Sequence, residues 1–353
     1  MTSLYRRYRP TTFADIEGQE HVVRTLQGAL TSGRVGHAYF FAGPRGTGKT
    51  TMARLLAKAV NCQQSEAQNL NAKFQTEPCN ACYSCQEINA GKSLDLIEID
   101  AASHTGVDNI RSVIDSAQVA AATAAYKVFI IDEVHMLSKS SFNALLKTLE
   151  EPPAHTMFVL ATTEPHKVPE TILSRVQRLD FKKLNREQIV EKLKRVAKAE
   201  KLTIDDGSLE LLVTAASGSL RDAESALAKV MAFAGTTITT AQTSAILGVI
   251  PAETHAKLLE TIHQKKSAEA VAQLGELHDA GVNLDHFAKQ FIEHVRSVLI
   301  SSLTLHATRD ALHDPTFLVK VIERFMEARA ASRHTPIPQL PLELAVIDLT
   351  RTA

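Results

Sequence analysis

The residue types best suited to chemistry are Gly43, Pro44, Arg45, Gly46, Thr47, Gly48, Lys49 and Thr50, followed by Thr51. Their spacing fits G-x-x-x-x-G-K-[ST], a loop that cradles phosphate groups. Glycines let the backbone curl so that successive N–H groups point inward, and the N-terminus of the following helix adds partial positive charge. Lys49 is expected to reach the β- and γ-phosphates, and the Thr50 hydroxyl to hold Mg²⁺. Asp132 and Glu133 close an apolar run that starts at Lys127. Asp132 is expected to share the Mg²⁺ shell with Thr50, and Glu133 to orient or activate an attacking water. The other reading of that pair is an acidic cap on the next helix. Thr162 and Thr163 follow the apolar run Thr156–Ala161, where a hydroxyl can report a γ-phosphate; otherwise they cap a strand end.

A second group is built from sulfur. The chain has four cysteines, Cys62, Cys79, Cys82 and Cys85. Three thiols at C-x2-C-x2-C can converge on one cation, with Cys62 as fourth ligand, which describes a closed, structural zinc site of four thiolates. The same run begins a ferredoxin-type pattern but lacks its C-x3-C-P continuation, and unliganded thiols are the remaining reading.

The order of elements puts these groups together. The run His37–Ala42 reads as a buried strand entering the phosphate loop, and Thr51–Val60 as a helix leaving it. Leu94–Asp100 and Val176–Phe181 read as further strands. Val107 to about Ala121 and Ser138–Glu151 read as helices, the latter stopped by Pro152 and Pro153. Strands alternating with helices give a parallel, doubly wound sheet with ligands at the strand carboxyl ends. From Leu184 onward only helices are expected. A small set runs to about Gly248, and longer amphipathic helices follow at Glu253–Gln264, Ala268–Ala280, Leu284–His306, Pro315–Arg333 and Leu340–Thr350. His286 and His294 fall on one of these, too far apart to share a ligand, and are expected at a surface or interface.

Bulk composition narrows the classes. Lys+Arg and Asp+Glu balance at 39 each among 353 residues, which argues against a generally basic surface that coats nucleic acid. With no Trp and 5% aromatics, a base-stacking platform is not expected. The arginines near the N-terminus precede no apolar run, so they do not form a secretory signal. No stretch is long and apolar enough to span a membrane, so the cytoplasm is the expected location.

Taken together, the phosphate loop, Asp132-Glu133-Val134-His135, Ser174-Arg175 and Gly218-Ser219-Leu220-Arg221-Asp222 resemble the clamp-loader family of AAA+ ATPases. Asp15–Glu20, Leu96–Ser103, Phe142–Pro153 and the four-cysteine insertion narrow the resemblance to the γ/τ branch of bacterial DNA polymerase III. It covers about Tyr8 to Gly235 by motif, and the C-terminal helices by architecture and position only. It implies an α/β AAA+ domain at 1–181 with a zinc insertion at about 62–90, a helical lid at 182–248, and an all-α collar at 249–353.

Functionally, the resemblance implies an ATP-driven motor that opens and loads a sliding clamp on primed DNA. Its cofactors are ATP, Mg²⁺ and structural Zn²⁺. Its partners are δ, δ′, further copies of itself, the clamp and primer-template DNA. Arg175 is similar to the family's arginine finger, which enters a neighbouring subunit's site. Arg221 is similar to sensor 2 and Thr163 to sensor 1. Tyr8, Arg9 and Pro10 resemble the entry to the adenine pocket, in place of the solvated arm that composition alone suggests. Val176 stands where the family commonly has Cys. His104 and Gly106 replace basic residues of the DNA-facing loop, leaving Arg111. The sequence ends at Ala353 without the polymerase- and helicase-binding tail of the longer family members, so a short form is expected. The rival readings are a branch-migration motor of the same superfamily and a non-hydrolysing ATP-gated scaffold.

Overall fold

Alternating side chains on the central strands face two different helical layers. A computed structural model describes residues 3–63, 74, 76–103, 105–248, 250–304, 314–332 and 335–351. Five strands form a sheet: β1 (Ala38–Ala42), β2 (Leu96–Asp100), β3 (Lys127–Asp132), β4 (Thr156–Thr162) and β5 (Gln177–Asp180). Their spatial order is β2-β3-β4-β1-β5, and every pairing is parallel. Every residue of β1 and β4 is buried, as both faces of a central parallel strand must be. Tyr39, Phe41, Ile130 and Val159 pack under the helices Glu20–Thr31 and Lys49–Asn61. Phe40, Phe129, Ile131, Phe158 and Leu160 pack on the other face under Val107–Gln118 and Lys139–Glu150.

The strand expected from Leu94 starts at Leu96 instead. Asp95 turns inward, 1% exposed, while Leu94 is 75% exposed. The Asp95 carboxylate accepts hydrogen bonds from the backbone N–H groups of Ala122 (2.6 Å), Thr123 (2.8 Å) and Ala124 (2.9 Å), and from the Thr123 hydroxyl. These fix the loop that returns the chain to β3. The same loop explains why the preceding helix stops at Gln118, short of Ala121. A helix not expected from sequence, Tyr83–Ala90, follows Cys82 and ends at Gly91 in the left-handed conformation.

The chain divides into two compact units: Met1–Lys201 with Ala216–Ala228, and Leu202–Ala215 with Lys229–Ala353. The sheet, the phosphate loop and all four cysteines belong to the first. In the second, Thr203–Ile204 pairs in parallel with Thr237–Ile238. This corrects the expectation of helices alone; two-residue strands are too short to leave a periodic signal. The C-terminal helices occur where expected, at Ala252–His263, Ser267–Asp279, Leu284–Thr304, Pro315–Ser332 and Leu340–Thr350. Phe287, Phe291 and Phe325 form the centre of their core. His286 is exposed, as expected. His294 is half-buried and stacks on the buried His255 at 5.8 Å, so it faces inward. No described helix is long and apolar enough to cross a membrane.

Burial raises the Asp95 carboxyl, but the N–H donors of Ala122, Thr123 and Ala124 outweigh it and hold the group below its ordinary value. Asp95→Ala leaves those donors unpaired and is expected to lower unfolding stability by about 2–4 kcal/mol. Because the folded-state value is depressed, this contribution is complete above the unfolded carboxyl's value and fades as pH falls through the lower folded one. Urea unfolding of wild type and variant at neutral and acidic pH measures both effects; an equal deficit at all pH values would contradict the assignment.

Candidate active site and metal centre

Three sheet strands deliver their ends to one place. β1 runs into the phosphate loop, β3 into Asp132 and Glu133, and β4 into Thr162 and Thr163. Gly43 donates its N–H to the Thr162 carbonyl at 3.1 Å, tying the start of the loop to β4. A Cβ at Gly46 would collide with Ser219 Oγ, and the Leu220 N–H donates to the Gly46 carbonyl at 3.1 Å. The loop is therefore fastened to the segment that carries Arg221. Gly48 adopts φ 99° and opens the helix Lys49–Asn61.

Lys49 is 6% exposed, and its Nζ donates to the carbonyls of Gly43 (2.7 Å) and Pro44 (2.9 Å). Burial pulls its pKa below the ordinary lysine value, while Glu133 and Asp132 pull the other way. The Thr50 hydroxyl donates to Asp132 Oδ2 at 2.8 Å. This pair of hard oxygen donors at the loop fits a Mg²⁺ site. Glu133 sits in the left-handed region at φ 47°. Its Oε2 accepts from the Thr163 hydroxyl at 2.9 Å and from the Thr163 N–H at 3.2 Å. His135 lies beside it, with Nδ1 2.9 Å from Thr162 Oγ1 and 3.4 Å from Glu133 Oε2. The structure thus brings Lys49, Thr50, Asp132, Glu133 and Thr163 to one end of the sheet.

The cleft around them is lined by Arg45, Gly46, Thr47, Gly48, Lys49, Thr50, Thr51, Asp132 and Glu133 on the phosphate side. Its far wall holds Tyr5, Arg6, Arg9, Pro10, Ile16, Glu17, Leu184, Leu220, Arg221 and Glu224. Arg221 lies over the Tyr5 ring at 4.7 Å. Burial and the neighbouring Arg54 both lower the pKa of Arg9. A cleft that crowds cations this way suits a polyanion. Gly43, Pro44 and Tyr8 do not line the cleft. Gly43 and Pro44 supply the carbonyls that hold Lys49, and Tyr8 turns its hydroxyl to Glu200 at 2.6 Å. Tyr5 takes the cleft-lining place expected of Tyr8. Leu184 and Glu224 carry no motif, and Ile16 and Leu220, though inside stretches that carry the resemblance, had no cleft role from sequence.

Arg175 stands apart from this cleft. Its guanidinium donates to Glu150 Oε1 (Nε, 2.8 Å) and to the Thr171 carbonyl (2.6 Å), and the side chain is one-third exposed. Arg111 is exposed and pairs with Asp108 at 3.1 Å, next to Gly106, which caps the same helix. His104 lies outside the described residues.

Cys62 follows directly after the helix Lys49–Asn61, and Cys82 precedes Tyr83–Ala90. The Sγ atoms of Cys62, Cys79, Cys82 and Cys85 all lie within 4.8 Å of one another, a donor set that could hold one metal ion. The Cys82 and Ala81 N–H groups point at Cys79 Sγ, at 3.2 and 3.4 Å. Lys58, 1% exposed, donates to the Thr11 carbonyl (2.8 Å), to Asn89 Oδ1 (2.9 Å) and to Asn80 Oδ1. This buried cation ties the helix to the cysteine module, and no motif announced it.

Family models match in three successive segments. "DNA polymerase III, delta subunit" covers residues 18–185, "DNA polymerase III clamp loader subunit, ATPase lid domain" covers 188–236, and "DNA polymerase III subunits gamma and tau domain III" covers 238–323. The chain is 44% identical over 325 residues to DNA polymerase III subunit tau of Bacillus subtilis, covering 92% of this chain and 55% of that protein. It is 40% identical over 279 residues to DNA polymerase III subunit gamma of Buchnera aphidicola, covering 79% of this chain and 75% of that one. The chain thus spans about half the length of the tau relatives. A solved structure of the Thermotoga maritima RuvB Holliday junction branch migration motor superposes with a TM-score of 0.50 at 20% identity, over 76% of this chain and 85% of that one, a likeness of fold alone. The matches of both the lid and domain III, with the extent of the gamma relative covered, mean that the chain belongs to the γ/τ clamp-loader subunit family of bacterial DNA polymerase III.

Proposed function

We propose that this chain is an ATP-hydrolysing clamp-loader subunit that works in the bacterial cytoplasm with δ, δ′ and further copies of itself to open a sliding clamp and place it on primed DNA. The observation that carries the reading is the convergence of Lys49, the Thr50–Asp132 pair and Glu133 at the end of one sheet, with Arg175 directed away from them. Domain roles follow: 1–181 binds nucleotide, 182–248 closes as a lid, and 249–353 assembles subunits.

In this reading the loop N–H groups and Lys49 bind the β- and γ-phosphates of ATP, and Arg221 approaches from the lid side. Thr50 and Asp132 hold Mg²⁺, which supplies positive charge to the phosphate oxygens. Glu133 accepts a proton from the water whose oxygen attacks the γ-phosphorus, as the bond to the β,γ-bridging oxygen breaks. In the structure Glu133 is instead held by Thr163, so Thr163 must release it, or re-aim it, when a γ-phosphate arrives. Arg175 completes a neighbour's site, where counter-charge stabilises the transferring phosphoryl group. Zn²⁺ fits the four cysteines as a closed tetrahedral site, which makes the cysteine module structural.

Two experiments test this reading. Arg175→Ala is expected to leave nucleotide affinity unchanged in the isolated chain. It is expected to reduce DNA-stimulated ATP turnover of the complex assembled with δ, δ′ and clamp by about 10³-fold or more. Normal turnover in that complex would refute a site shared between chains. For the metal, elemental analysis is expected to find one zinc per chain. Cys82→Ser is expected to lose it and lower the melting temperature, with ATP affinity reduced only as far as unfolding requires. Retained stability with selective loss of hydrolysis would point to a catalytic metal instead.

A further inference from the structure

The far wall of the nucleotide cleft contains a carboxyl that none of the phosphate chemistry uses. Glu224 lines the cleft, is 4% exposed, and its Oε1 is buried without a hydrogen-bond partner. Leaving such an acceptor unpaired costs free energy, so a ligand that donates to it would be favoured there. Lys192, the one cation that lowers its pKa, directs its own Nζ to the Tyr8 carbonyl at 3.2 Å. Glu17, the other carboxylate on that wall, is engaged by Arg195.

Glu224 shares the cleft with several apolar side chains. Leu220 and Glu224 are one turn apart on the helix Leu220–Ala234, so both face the cleft. Pro10, Ile16 and Leu184 line the same wall. Arg221, on the neighbouring position, is stacked on Tyr5. With the phosphates at Lys49 in the reading above, the base falls among the remaining side chains of the same cleft, these apolar ones included. An apolar slot supplies affinity for any ring; an acceptor sealed inside it supplies discrimination.

We propose that Glu224 selects the base, its carboxyl accepting a hydrogen bond from the exocyclic amine of adenine. This rests on the phosphate-site reading above and adds the residue that reads the other end of the nucleotide. Burial raises the Glu224 pKa to about 7, more than Lys192 lowers it. The neutral acid can therefore also donate to a purine ring nitrogen while its carbonyl oxygen accepts from the amine. An amide side chain has the same donor–acceptor pair and recognises adenine in this way elsewhere.

The test is calorimetric titration of the full chain with ATP and with purine riboside triphosphate, which differs only in carrying hydrogen in place of the amine. Wild type is expected to bind ATP about 10–100-fold more tightly. Glu224→Leu fills the slot with a side chain of similar size and is expected to bring the two affinities within about 3-fold. Glu224→Gln keeps an acceptor and is expected to retain most of the preference, which separates base reading from mere packing. Equal binding of the two triphosphates by wild type, or full preference in Glu224→Leu, overturns the proposal while leaving the phosphate site intact. Failure of wild type to bind either triphosphate removes the phosphate-site reading and this proposal with it.

Discussion

The arrangement depends on the close approach of the phosphate loop to the segment around Ser219. Gly46 has no Cβ, and its carbonyl accepts from Leu220, so two stretches far apart in sequence share one patch of backbone. That contact sets where Arg221 and Glu224 stand relative to Lys49. A side chain at position 46 would separate the wall from the loop, whatever its polarity. The glycine of the motif is thus needed on two sides: to curl around phosphate, and to let a second segment close on it.

Backbone strain is present at Glu133. Glu133 occupies a left-handed conformation that costs a non-glycine residue free energy, and its carboxylate is bonded to both the N–H and the hydroxyl of Thr163. His135 sits beside the pair. The hydroxyl at the end of β4 and the carboxylate at the end of β3 are therefore in direct contact. Arg175 is likewise engaged, with Glu150 and Thr171. Both groups are thus engaged by partners within the chain.

Much of this was legible in the sequence where chemistry and periodicity coincide. The apolar runs of β1, β3 and β4 are buried on both faces and so read as continuous strands. The loop motif, the acidic pair and the cysteine spacing read directly because their geometry is local. What stayed hidden is what long-range packing decides. Asp95 looked like part of a strand because alternation cannot show a side chain turning to hold a loop. The resemblance put Tyr8 at the entry to the adenine pocket, yet Tyr5 lines the cleft and Tyr8 meets Glu200. Glu224 gave no signal: a carboxylate in an amphipathic helix is ordinarily a solvated residue, and only its burial marks it.

The helix Lys49–Asn61 starts at the phosphate loop and ends where Cys62 begins the cysteine cluster. It is about 20 Å long. A helix is a ruler with a phase as well as a length: each added or deleted residue turns everything beyond it by about 100°. One such change ahead of Lys58 would swing Cys62 away from Cys79, Cys82 and Cys85, and would carry Lys58 off Asn80 and Asn89, while the loop at the other end kept its shape. The number of residues between Lys49 and Cys62 is therefore as tightly constrained as the identities of either. In this chain the length of one buried helix is itself part of the cysteine cluster.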